Sequence, residues 1–247
     1  MTTLRLNRAQ ILVTAALLAL LVTAAVLHGN VTASFIADYR ANNCPSPTCD
    51  ALAEQVAQRY QMFGQLLPAI GLLPAAIGAF WGAPLLGREF ETGMTHFAWS
   101  QSVTRRAWLL TRWFTLGSLI VIGALVLGTA LDSWLSVFNG FDLSGAVQTD
   151  FSFSHTRGTA PVGWWLLAFS LGAASGALLR RTVPAMVVTT VVVVIAVIAR
   201  NIWFGFAIEG LTVSEALRLQ HIETTTLVTV AVLLALATSR LIEHARA

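Results

Sequence analysis

The sequence predicts an all-α membrane protein with six transmembrane helices, and three observations predict it. Hydrophobic residues fill 56% of the 247 positions and charged residues only 11%, whereas a soluble domain is roughly a quarter charged. Mean hydropathy is +0.71, so the chain needs lipid to hide its surface. A bilayer asks for about twenty mostly apolar residues per helix, and six such runs, almost free of charge, lie at 10–29, 63–86, 108–131, 162–179, 183–199 and 225–241. Together they make one transmembrane domain over 1–247.

The first run follows Arg5 and Arg8, as a secretory signal would. It is long, however, and His28-Gly29-Asn30 stands where a small-residue cleavage site belongs, so it reads as a retained span. The loop after it holds Cys44-Pro-Ser-Pro-Thr-Cys49. Two thiols so close, facing an oxidising compartment, predict a local disulfide; a reduced pair is the alternative. Residues 50–60 read as a short helix capped by Asp50 and leading into the second span. Before the sixth span, Thr212-Val-Ser-Glu215 fits a capping box opening a short helix over 216–220. Both short helices are expected at the outer interface. The stretch 132–161, rich in Phe, Ser, Asp and Gly, reads as an ordered loop.

Arginine sets the orientation. With the N-terminus inside, ten arginines fall on the inner side (Arg5, Arg8, Arg88, Arg105, Arg106, Arg112, Arg180, Arg181, Arg240, Arg246) and five outside (Arg40, Arg59, Arg157, Arg200, Arg218). The positive-inside rule therefore favours N-in, and six spans bring the C-terminus back inside. Arg180-Arg181 reads as an inner boundary, and Trp164, Trp165 and Trp203 as membrane-belt residues. Asp132, at the outer end of the third span, reads as solvated.

Composition also excludes chemistries. The chain has no lysine, which removes the phosphate-binding lysine of a P-loop, a Schiff base and a Ser-Lys dyad. The arginines form no basic stripe, so no nucleic-acid partner is expected. His28, His155 and His221 read as outer-loop or span-end residues without ligand spacing, and no metal is expected. An intramembrane enzyme would show paired acid, His or Ser groups within its spans, and the runs are nearly free of ionisable residues.

The segment between the second and third spans is too polar to cross a membrane and too patterned for a slack linker. Arg88-Glu89-Phe90-Glu91-Thr92-Gly93 follows the second span, Phe97 and Trp99 add apolar anchors, and Ser102-Val103-Thr104-Arg105-Arg106 opens the third. Such a segment either presents a face to a soluble partner or merely anchors the helices at the interface.

The run Gly82-Ala-Pro84-Leu-Leu-Gly87-Arg88-Glu89-Phe90-Glu91-Thr92-Gly93, followed by 99–106, resembles the permease subunits of ABC-2 type transporters, especially actinobacterial ones. The resemblance implies six spans with both termini inside and a cytoplasmic coupling helix between spans 2 and 3. It assigns docking of a separate ATP-binding subunit to Arg88, Glu89, Phe90, Glu91, Gly93, Ser102, Arg105 and Arg106. Met94, Ser102 and Arg112 stand where the family commonly has Thr, Pro and Lys, which bears on subfamily. The resemblance further implies ATP and Mg on the partner subunit, with no cofactor on this chain. It implies a second permease copy or a related permease, a lipid environment, and export of a hydrophobic small molecule, drug, peptide or lipid, as in multidrug efflux from a bacterial plasma membrane. The alternative is a non-transport scaffold or sensor. Gly78-x-x-x-Gly82 and Gly172-x-x-x-Gly176 allow close helix approach, within one subunit or between two.

Overall fold

The computed structural model describes residues 8–41, 50–92, 105–138, 154–207 and 213–244. Cys44, Cys49, Gly93 and Ser102 lie outside the described residues, as do 139–153 of the outer stretch. The described chain is helical: α1 (Arg8–Ala41), α2 (Asp50–Gly64), α3 (Leu67–Gly71), α4 (Leu73–Ile77), a π-turn (Gly78–Gly82), α5 (Ala83–Glu91), α6 (Arg105–Ser136), α7 (Ala160–Leu179), α8 (Thr182–Ala207) and α9 (Val213–His244). Six helices or helix runs are long and apolar enough to cross a membrane, the second formed by the pieces from α2 to α5.

Proline explains why the second span is in pieces. Pro68, Pro74 and Pro84 each stand in the first turn of a new segment, where a missing N–H does no harm. Inside a continuous helix each would deprive the carbonyl four residues back. Tight turns fill the gaps, with Leu72 N donating to Ala69 O at 3.1 Å and Ala75 N to Leu72 O at 3.0 Å. Ahead of Pro84 the ladder widens into the π-turn, in which the Ala83 N–H reaches Gly78 O. The Phe80 carbonyl, four residues before Pro84, receives the Gln10 side-chain amide from α1.

Helix α7 is the hub, touching α4, the π-turn, α5, α6, α8 and α9. Small residues permit it. A Cβ on Gly172 would overlap the Gly78 carbonyl and come within 2.8 Å of Gly82 Cα, and one on Gly176 would lie 2.5 Å from Ala83 O. One on Gly82 would strike the Phe169 carbonyl. The two small-residue motifs therefore face each other within one chain.

Trp164 and Trp165 lie in this core, 4% and 3% exposed. They are not belt residues, because α7 is enclosed by its neighbours; Trp203 is exposed. The expected short helix at 216–220 is no separate interfacial piece but the first turns of α9, which runs unbroken into the last span.

Helix α1 is the opposite case. Its buried residues are Ala25, Gly29, Thr32 and Ile36, a single stripe at helical spacing that docks on α6. The first half of α1 is packed more loosely: Ile11 and Leu18 rest on the core, while Leu12, Val13, Leu17 and Leu20 are exposed. Beside Gly29 in this stripe an aromatic group closes the joint. His28 stacks on Phe63 at 5.2 Å, Phe63 lies 4.6 Å from Trp134, and Trp134 meets Phe138 edge-on at 5.3 Å. Trp134 Nε1 donates to His28 Nδ1 at 3.0 Å, which leaves the imidazole proton on Nε2.

Candidate functional site

The ends of α5, α6, α7 and α8 meet on the N-terminal side of the bundle, and two carboxylates tie them. Glu89, on the last turn of α5, accepts from Arg112 of α6. Arg112 also lies over the Trp108 ring, 4.2 Å from its centroid, a cation–π contact that holds the guanidinium in place. Glu91 reaches a different helix: its Oε1 accepts from the Thr182 backbone N at 3.0 Å and its Oε2 from Thr182 Oγ1 at 2.7 Å.

Helix α8 needs this outside cap. The residue before it is Arg181, whose side chain has no acceptor to offer the Thr182 N–H. A carboxylate there also complements the positive end of the helix.

The turn between α7 and α8 is equally constrained. Arg180 takes the left-handed conformation with φ of 52°, its N–H closes on Gly176 O at 3.0 Å, and its guanidinium lies 5.6 Å from the centre of the Phe90 ring. Phe90 and Glu91 thus fasten the α7–α8 turn while Glu89 fastens α6. Immediately beyond Thr92 the chain leaves the described residues, to return at Arg105 and Arg106 in the first turn of α6.

A second polar group sits at the opposite end. Arg200 of α8 donates through Nε to Glu223 Oε1 of α9 at 2.9 Å and through a second nitrogen to Oε2 at 2.9 Å, a two-pronged pair. Trp164 Nε1 donates to the same Glu223 Oε1 at 3.0 Å, and Arg200 also reaches Ser154 Oγ at 2.7 Å. Gln220 donates to the carbonyls of Ser154 and Arg157 at 3.1 and 2.9 Å.

The strand of chain from 154 to 159 is thereby strapped across α6, α8 and α9. Arg157 Nε pairs with Asp132 at 3.2 Å, so Asp132 is half-exposed but bound. Gly158 N donates to Gly128 O at 3.0 Å, a backbone approach so close that a Cβ on Gly128 would overlap the Gly158 carbonyl. Beneath the strap His155 is buried against Gly71 and the Trp164 ring, 6.4 Å between ring centres. Neither of its nitrogens has a hydrogen-bond partner. Burial, and next the positive Arg200, push its pKa down to about 4 against a weaker opposing pull from the Gly71 backbone. His155 is neutral in the fold.

A model of the family described as ABC-2 membrane transporter related matches residues 15–204. The chain belongs to that family. It is a multi-pass membrane permease component of an ABC transporter, and such permeases work with an ATP-binding subunit. No curated protein and no solved structure gives a significant match.

Within the permease the two site regions differ in how they follow from sequence. Arg88, Glu89, Phe90 and Glu91 are placed on one helix end, where Glu89 and Glu91 bind Arg112 and Thr182 of their own chain. The Arg200–Glu223 pair was not anticipated, since Arg200 reads as an outer-loop arginine and Glu223 falls just before the sixth apolar run. Its only signal is one ionisable residue at the edge of each of two long hydrophobic stretches. Among the described residues no three His, Cys, Asp or Glu side chains come together as a metal site would require.

Proposed function

We propose that this chain is the membrane half of an exporter for hydrophobic cargo, driven by a separate subunit that holds ATP and Mg and docks on the segment 88–106 on the cytoplasmic side. N-in, C-in orientation follows from the arginine bias, and a bacterial plasma membrane is the setting. Two permease chains, identical or related, would complete the pathway.

The observation that carries the reading is the pair of ties at the end of α5. Glu89 to Arg112 and Glu91 to Thr182 bind the spot where the chain enters the coupling segment to the third span and to the fourth-to-fifth turn. A force applied to that segment is then delivered to several rigid helices together, as coupling through contiguous packed elements demands.

The test is transport in proteoliposomes holding the permease and its ATP-binding subunit, with a hydrophobic dye as cargo. ATP-dependent dye movement is expected, and Arg112→Gln should slow it at least about tenfold, the effect of roughly 1.4 kcal/mol lost from a charged hydrogen bond. Full transport by Arg112→Gln would overturn the coupling role. Absence of ATP-dependent movement in wild type would favour the scaffold reading.

A further inference from the structure

We propose that the groove beside the first half of α1 is a binding site for one anionic phospholipid, drawn from the leaflet on the N-terminal side. The groove exists because the fully buried stripe of α1 begins only at Ala25, so the preceding turns meet the broken second span through the Gln10 and Thr14 side chains and leave a gap beside them. The cavity measures about 730 Å³, within the range of roughly 300–1,000 Å³ typical of small-molecule sites. Its walls are Val13, Leu17 and Leu21 from α1 and Leu73, Phe80 and Trp81 from the second span.

The polar groups inside are already bonded. Trp81 Nε1 donates to Thr14 Oγ1 at 3.2 Å and the Gln10 amide to the Phe80 carbonyl. What remains is a mainly apolar slot, which suits an acyl chain.

The mouth has a different character. Arg88 and Thr182 line it, and the exposed Arg8 and Arg181 adjoin the lining residues Ala9 and Thr182 in sequence. The nearby carboxylates do not reach Arg88: Glu89 holds Arg112, and Glu91 caps Thr182 and feels the charge of Arg181. Arg88 is exposed and has no carboxylate partner among the described residues. An apolar slot that ends at Arg88, which no carboxylate pairs among the described residues, matches an acyl tail with a phosphate headgroup. A second copy of the chain fits less well, because it would bring its own arginine-rich helix ends against Arg88. The site does not depend on an ATP-binding partner.

The test uses the full chain, purified in mild detergent, exposed to an equal mixture of phosphatidylglycerol and phosphatidylcholine, and weighed by native mass spectrometry. One retained lipid per chain is expected, with phosphatidylglycerol favoured. Arg88→Gln, an exposed change that leaves packing alone, should cut that preference about fivefold. Ala76→Phe and Val13→Trp, which fill the slot from opposite walls, should each abolish retention of either lipid. Equal retention of the two lipids by wild type, or a lipid count unchanged in a folded slot-filling variant, would overturn the proposal. So would efficient cross-linking of Ala76→Cys to a second copy in native membranes.

Discussion

Arg200 and Glu223 carry opposite charges where water is scarce, 7% and 13% of their side chains exposed, and each is tolerable only because the other is there. Removing one partner from such a pair strands a buried charge, at a cost of about 3–5 kcal/mol. Glu223→Ala is therefore expected to lower the thermal midpoint in detergent sharply, and Arg200→Met with Glu223→Met together less than either alone; equal loss in single and double variants would argue against the pairing. His155 makes a separate statement about pH. Its folded pKa of about 4 lies below the 6.5 of a free imidazole, so the unfolded chain takes up a proton first as pH falls. The stability tied to its neutral form is full above about 6.5 and is lost progressively between about 6.5 and 4. Melting curves from pH 7.5 to 4.5 should show this loss, and His155→Phe should flatten it. A slope unchanged in that variant would place the pH dependence elsewhere. Neither residue announced itself in the sequence. A lone arginine and a lone glutamate, 23 positions apart on the edges of two apolar runs, gain meaning only when α8 and α9 bring them to 2.9 Å.

The elements were legible to different degrees. Apolar length alone placed the six spans, because a bilayer imposes a minimum run on any helix that crosses it. Position at a span boundary misplaced Trp164 and Trp165, since they look alike in a belt and in a core, and enclosure by surrounding helices is a tertiary fact. The capping box before the sixth span was visible; that α9 would continue through it was not, as a helix start says nothing about where the helix ends. The glycine motifs showed small faces without showing their partner. Gly172 now has one, the backbone of Gly78 and Gly82, and this close seat is why Gly172→Leu should leave little folded protein. Overpacking typically costs about 1–3 kcal/mol, but here the obstacle is backbone carbonyl, which cannot swing aside. Gly64→Ala, where nothing lies within 4 Å of the added carbon, serves as the control and should fold normally by size-exclusion profile.

At the scale of the molecule, one end of the bundle is strapped and the other is tied to the segment that leads away from it. Ser154, Gln220 and the Arg200–Glu223 pair hold the far end, whereas Glu89 and Glu91 hold the end that carries the proposed docking segment. The residues of that segment were picked out by their resemblance to ABC-2 permeases. Their bonds could not be, because Arg112 and Thr182 lie 23 and 91 positions away in the chain. The central claim is that this end receives an ATP-binding subunit, and the most direct measurement is co-purification from native membranes by a tag on the permease. An ATP-binding subunit should accompany the wild type and be lost from the Glu89→Ala, Glu91→Ala double variant, provided that variant keeps the wild-type size-exclusion profile. Retention of the subunit by a folded double variant, or its absence from the wild type under several mild detergents, would contradict the account.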